Sequence, residues 1–114
     1  MIIELTRFKV KAGKEDVVKK WMETLNNHMD EVLDTLDAEK MYVETIFREK
    51  INGEEYLYWY SIQGEGGINV DESSHEIDKL HVAFWEECID PNYPPVQIVP
   101  QVLMIPNRIR ERMK

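Results

Sequence analysis

Apolar and polar positions along the chain fall into six patterned runs and a tail. Residues 2–10 carry Ile2, Ile3, Leu5, Phe8 and Val10, a density that predicts a strand running into a turn at Lys11-Ala12-Gly13. Over 14–36, Val18, Trp21, Met22, Leu25, Met29, Val32, Leu33 and Leu36 recur at three- and four-residue steps, which predicts one long amphipathic helix. Glu15 and Asp16 stand in its first turn, where the helix dipole favours negative charge.

Residues 41–51 and 54–63 are rich in aromatic and β-branched types and are separated by Asn52-Gly53, a strong hairpin signal. A two-residue loop sets Val43 opposite Ile62, Thr45 opposite Tyr60 and Phe47 opposite Tyr58 on one face. The other face carries Tyr42, Glu44, Ile46 and Arg48 opposite Gln63, Ser61, Trp59 and Leu57. The first face is the larger and more apolar, so it is assigned to the helices; a one-residue slip would exchange the two.

Residues 64–72, with Gly64, Gly66 and Gly67, read as a loop without the Gly-Lys-Ser/Thr ending that grips phosphate. Ser73 and Glu76 have capping-box spacing, and Ile77, Leu80, His81, Phe84, Trp85 and Cys88 follow at helical steps. Asp90-Pro91 and Pro94-Pro95 end this second helix. A fourth strand is expected over 96–105, with Pro100 favouring an edge or bulge, and Pro106 opens a short C-terminal helix.

The order β-α-β-β-α-β predicts an α+β, ferredoxin-like fold: a four-stranded antiparallel sheet with two helices on one face. The opposite face, bearing Tyr42, Ile46 and Trp59, would be a costly patch to leave in water. A homodimer with two sheets face to face is therefore expected.

Length allows one domain over residues 1–114, since a split would leave pieces too small for separate cores. With 22 acidic against 14 basic residues the formal charge is -8, which makes nucleic acid and anionic membrane poor partners. Arg108, Arg110, Arg112 and Lys114 at the C-terminus read as a solvated helical end. The single cysteine, Cys88, lies on an apolar helix face and reads as a small buried hydrophobe. It cannot form an internal disulfide, and without a secretory or membrane-spanning run the expected location is cytoplasmic.

The arrangement resembles the dimeric α/β-barrel superfamily, which includes antibiotic-biosynthesis monooxygenases, haem-degrading monooxygenases and rhamnose mutarotase. More closely, Asn27-His28-Met29-Asp30, the stretch from Glu39 to Thr45, the stretch from Glu54 to Ser61, and Ser74-His75-Glu76-Ile77-Asp78 resemble the bacterial family DUF6176. That family carries no assigned activity, so the resemblance supports a fold and supplies no mechanism. The superfamily implies a pocket between the helices and the sheet of each protomer.

His28 stands at the edge of the first helical stripe near Trp21, Leu25 and Val32, and could serve as a base in a helix–sheet cleft. His81 lies nearer the middle of the second stripe, between Ile77 and Phe84. The haem-degrading relatives imply testing His81 as an iron ligand, although nothing else marks a haem site and no cofactor is expected. His75 and His81 are six residues apart, which does not make the i, i+4 pair of a helical metal site, so no metal is expected either.

Thr45, Tyr58 and Tyr60 would bring hydroxyls into the helix-facing layer, where they need partners. The expected site therefore pairs His28 with Tyr60 as catalytic groups and adds His81, Tyr58, Thr45 and Trp21 as ligand contacts. Glu44, on the opposite face, is expected to meet Arg48 of a second copy. The leading functional expectation is a dimeric domain binding a small molecule in this pocket. A cofactor-independent monooxygenase or mutarotase-like enzyme is the rival, and a structural or protein-interaction module the third reading. Sugar binding calls for several inward polar residues, of which the sequence offers few.

Overall fold

Asn52 and Gly53 adopt φ of 51° and 81°, the left-handed pair that a tight hairpin turn demands. They join two long strands in the computed structural model, which describes residues 1–67 and 75–113. In chain order the elements are β1 (Ile2–Lys9), α1 (Glu15–Asn27), α2 (Met29–Glu39), β2 (Met41–Ile51), β3 (Glu54–Gln63), α3 (Glu76–Cys88), β4 (Val96–Gln97) and α4 (Asn107–Arg110). The strands form one antiparallel sheet ordered β2-β3-β1-β4, with β1 inserted between the hairpin and the last strand. This is the ferredoxin-like arrangement.

The hairpin register follows the sequence: Val43 faces Ile62, Thr45 faces Tyr60 and Phe47 faces Tyr58. At the far end a bulge between Met41 and Val43 brings Met41, rather than Tyr42, opposite Gln63.

The assignment of faces is reversed. Leu57 is fully buried, and Trp59 and Ile46 pack against the core formed with Val10, Val18, Trp21 and Cys88. The helices therefore cover Phe8, Ile46, Leu57 and Trp59, and the Val43, Thr45, Phe47, Tyr58 and Tyr60 face is the outer one. Counting apolar residues misled because tyrosines tolerate a half-wet surface. The indoles of Trp21, Trp59 and Trp85, by contrast, interlock, with Trp59 5.8 Å from Trp21 and 5.1 Å from Trp85 between ring centres.

The predicted long helix is two helices. At His28 the backbone turns to φ −117° and ψ 32°, and the His28 Nδ1–H donates to the Thr24 carbonyl at 2.9 Å. The His28 N–H is shared between the Thr24 and Leu25 carbonyls at 3.1 and 3.3 Å, so the chain bends at this residue while its backbone bonds are kept. The second helix then continues to Glu39, three residues past its expected end, and stops at Lys40 in the left-handed conformation, φ 52°.

β4 is far shorter than expected. Val96 and Gln97 pair with Arg7 and Thr6, and the Ile98 N–H reaches the Leu5 carbonyl at 2.8 Å. Pro100 has no N–H to continue the ladder, so the remainder of 98–105 runs without regular structure, leaving Val99, Val102 and Met104 exposed. Ser73 of the expected capping box lies outside the described residues, as does the end of the expected 64–72 loop. Cys88 is buried, and burial pushes its thiol up. Among the described residues no helix is long and apolar enough to cross a membrane.

Candidate functional site

Period-two alternation stacks the inward side chains of β1, β3 and β2 into rows across the sheet. One row is Phe8, Leu57 and Arg48, and the next is Thr6, Trp59 and Ile46. Beyond them come Glu4, Ser61 and Glu44, and then Gln63 with Met41. The first rows are filled by Trp21 and its aromatic neighbours. The polar rows instead face a cleft of about 570 Å³ beneath α2 and α3, bordered by Glu39 on α2 and by Asp78, His81 and Trp85 on α3.

Three carboxyls meet there. Glu39 has 5% of its surface exposed, and burial, reinforced by the charges of Glu44 and Asp78, raises its pKa to about 7. The Thr35 hydroxyl could offset this only by giving up its donation to the Val32 carbonyl at 2.7 Å. Burial also raises Glu44, and the charge of Asp78 adds to the shift, while a hydrogen bond with the Trp59 indole holds it back. Asp78 is buried, and among the described residues its Oδ2 has no hydrogen-bond partner.

The imidazole of His81 is fixed by Trp21. The fully buried indole Nε1–H donates to His81 Nδ1 at 2.9 Å. An indole nitrogen can only donate, so Nδ1 must carry a lone pair, and the neutral ring keeps its proton on Nε2. Burial pushes the His81 pKa down to about 4 against the opposing pull of Asp78. At neutral pH His81 is thus a neutral N–H donor on the wall of an acidic cleft.

The backbone around Glu39 is equally constrained. Gln63 Nε2 donates to the Glu39 carbonyl at 2.8 Å, and the Gly64 N–H to the Lys40 carbonyl at 2.7 Å. A Cβ on Gly67 would fall 2.0 Å from the same Glu39 oxygen, so the chain leaving β3 lies flush against the end of α2.

Of the residues singled out in the sequence, His81 borders the cleft, and Trp21 acts on it through His81. His28 is exposed at the α1–α2 junction, away from the cleft lining. Thr45, Tyr58 and Tyr60 lie on the outer sheet face, where the Tyr58 hydroxyl donates to Glu49, so His28 and Tyr60 are not brought together. Glu44, expected at an interface, faces the cleft. Arg48 is tied within its own chain to Glu55 and, at 3.0 Å, to the Glu15 carbonyl. Glu39 and Asp78 escaped the sequence reading, although their spacing signals them. Val32, Leu36 and Glu39 continue one helical stripe, as do Asp78, His81 and Trp85.

A haem does not fit these residues. Among the described residues the lining offers carboxylates and no lysine or arginine to meet the propionates, and the His81 nitrogen directed at Trp21 is already engaged. Among the described residues no group of three or more His, Cys, Asp or Glu side chains is placed to hold a metal ion.

Two outcomes follow from this geometry. In Trp21→Phe, His81 loses the donor that pins it, so ¹⁵N NMR will show both ring nitrogens sharing the proton; an unchanged Nε2–H tautomer would refute the lock. Glu39 binds its proton more tightly in the folded state, so stability is lost as pH rises from about 4.5 to about 7 and the loss is complete above. Glu39→Gln removes that loss, which is on the order of 1–3 kcal/mol at the edge of an open cleft. Urea denaturation should find the variant more stable than the parent at pH 8 and near parity at pH 4.5; parallel pH profiles would contradict the burial of this carboxyl.

No curated protein matches this chain. The crystal structure of an L-rhamnose mutarotase from Formosa agariphila is similar, with a TM-score of 0.55 and 18% sequence identity, covering 93% of this chain and 100% of that one. At that identity the likeness is one of fold. Residues 1–111 match a family of unknown function, DUF6176, and the chain belongs to that family.

Proposed function

We propose that the helix–sheet cleft binds a monosaccharide and exchanges its anomers by general acid–base catalysis. Ring opening needs one group to take the proton of the anomeric hydroxyl and another to give one to the ring oxygen. Two carboxyls with separated pKa values suit these roles. Glu44, held by the Trp59 indole, is the base, and Glu39, close to half protonated near pH 7, is the acid. Their titration is coupled, so the two steps belong to the pair.

Glu44 removes the hydroxyl proton as the C1–O1 bond gains double-bond character. The bond from C1 to the ring oxygen breaks, and the ring oxygen takes the Glu39 proton. The open aldehyde turns about its C1–C2 bond and presents its other face. On reclosure the hydroxyl attacks C1, Glu39 recovers its proton and Glu44 returns the other to O1. The cycle consumes nothing.

The inward polar residues wanting in the sequence reading are supplied once the faces are exchanged: Thr6, Glu44, Ser61 and Gln63 all border the cleft. Trp59 and Trp85 add aromatic faces suited to the apolar side of a sugar ring. The single observation carrying the reading is a carboxyl with pKa about 7 beside a second raised carboxyl in an open cleft. The likeness to a mutarotase is support at the level of scaffold.

NMR exchange spectroscopy across a panel of aldoses should show accelerated anomer exchange for at least one sugar. Glu39→Gln and Glu44→Gln should each slow it by about 10²–10⁴-fold. Full activity in both variants, or no acceleration with any sugar, would remove the reading.

The outer sheet face supports a second part of the proposal, a homodimer. Val43, Phe47 and Ile51 are 38%, 53% and 42% exposed on or beside a face that also carries Ile3, Leu5 and Tyr60. A second copy of the same face would remove this apolar surface from water. Native mass spectrometry should report a dimer that Phe47→Asp converts to monomer; a wild-type monomer at high concentration would exclude it.

A further inference from the structure

We infer that His81 is a specificity-determining residue of this cleft: its Nε2–H holds the 2-hydroxyl oxygen of the sugar in the anomer-exchange reading, on which this inference rests. Two indoles each commit one polar group of the wall. Trp21 donates to His81 Nδ1 at 2.9 Å, which leaves Nε2–H as the outward end of the imidazole. The Trp59 indole donates to Glu44, which keeps that carboxylate an acceptor. Among the described residues His81 Nε2 has no hydrogen-bond partner. It is also not one of the sealed atoms that lack one, Glu55 Oε2 and Asp78 Oδ2, so it stands within reach of a ligand.

The fixed donor and the fixed acceptor share one aromatic ring. The His81 ring stands 5.2 Å from that of Trp59 between centres, and both residues line the cleft with Glu44. Gln63 Nε2 is engaged with the Glu39 carbonyl at 2.8 Å, and the Thr6 and Ser61 hydroxyls can turn to donate or accept. His81 is an N–H whose direction the core has set. A sugar with O1 on Glu44 and its ring oxygen toward Glu39 has placed both oxygens of C1. The adjoining oxygen is the one on C2, and the donor beside Glu44 on the Trp59 wall is His81. That hydroxyl accepts from His81 and keeps its own hydrogen for a carboxylate, whereas a C–H in its place leaves the N–H dry and unpaired. With O2 held, C2 stays in place while the open aldehyde turns about its C1–C2 bond.

The test is NMR exchange spectroscopy on the full chain at pH 7 across the aldose panel, D-glucose, D-galactose, D-ribose and L-rhamnose among them. Each sugar is run beside its 2-deoxy and 3-deoxy forms, and every rate is divided by the same sugar's uncatalysed rate. Wherever a parent sugar is accelerated, the 2-deoxy form should lose about tenfold of that acceleration and the 3-deoxy form distinctly less. In His81→Gln, whose amide nitrogen reaches the place of Nε2, the 2-deoxy penalty is kept. In His81→Asn, whose amide reaches only the place of Nδ1, parent and 2-deoxy forms are accelerated alike. Equal acceleration of parent and 2-deoxy forms in the wild type, a larger penalty for the 3-deoxy form, or a 2-deoxy penalty that survives in His81→Asn overturns this inference alone. The wild-type series decides even if a variant does not fold. No acceleration with any aldose of the panel overturns both this inference and the catalytic reading beneath it.

Discussion

The indole of Trp21 has no exposed surface and one hydrogen to place, and much of the molecule is arranged around that requirement. Placing the ring at the centre of the core brings Trp59, Phe84 and Trp85 around it, so the sheet face bearing Trp59 and Leu57 has to be the inward one. Placing its N–H requires an acceptor from α3, and His81 supplies it. Core packing and the protonation of a cleft residue are thereby one structural decision. The imidazole that seals the hydrophobic cluster on one side presents its remaining N–H on the other.

Polarity along the inward face then follows a gradient. At the Phe8, Leu57 and Trp59 end the layer between sheet and helices is filled by rings, and at the Glu4, Ser61 and Glu44 end it opens. The interruption at His28 allows the chain to cover both ends with differently placed helices: α1 contributes Val18 and Trp21 to the core, while α2 contributes Thr35 and Glu39 to the wall of the cleft. Carboxyls brought together at the edge of a dry core resist ionisation, since water that would screen them has been partly displaced. This turns one member of an acidic accumulation, Glu39, into a group that exchanges its proton near neutrality.

The fold was legible because its signals are local. Asn52-Gly53 sets the hairpin and its register, the helical spacing of Val18, Trp21 and Leu25 sets the first helix, and the element order sets the sheet topology. The site was much less so, because one binary decision governs it. Both hairpin faces carry large residues, and only the mutual packing of three tryptophans, a contact between distant segments, distinguishes inside from outside. The two faces differ in what they would place inside: Tyr58, Tyr60 and Thr45 on one, Glu44 and Ser61 on the other. The bend at His28 was hidden because the apolar spacing continues through it, although the chain bends there. Glu39 and Asp78 carry no motif that marks them, yet both occupy positions where a helix stripe would ordinarily carry an apolar side chain.

Gly67 gives this arrangement an unexpected point of leverage. Because the carbonyl of Glu39 occupies the place where a methyl group would stand on residue 67, any larger residue there forces the departing loop and the last turn of α2 apart. The carboxyl that borders the cleft rides on that turn. Divergence among sequences of this architecture at the one position would thus act as a coarse adjustment of where the acidic wall stands, altering the shape offered to a ligand while every side chain that touches it is kept.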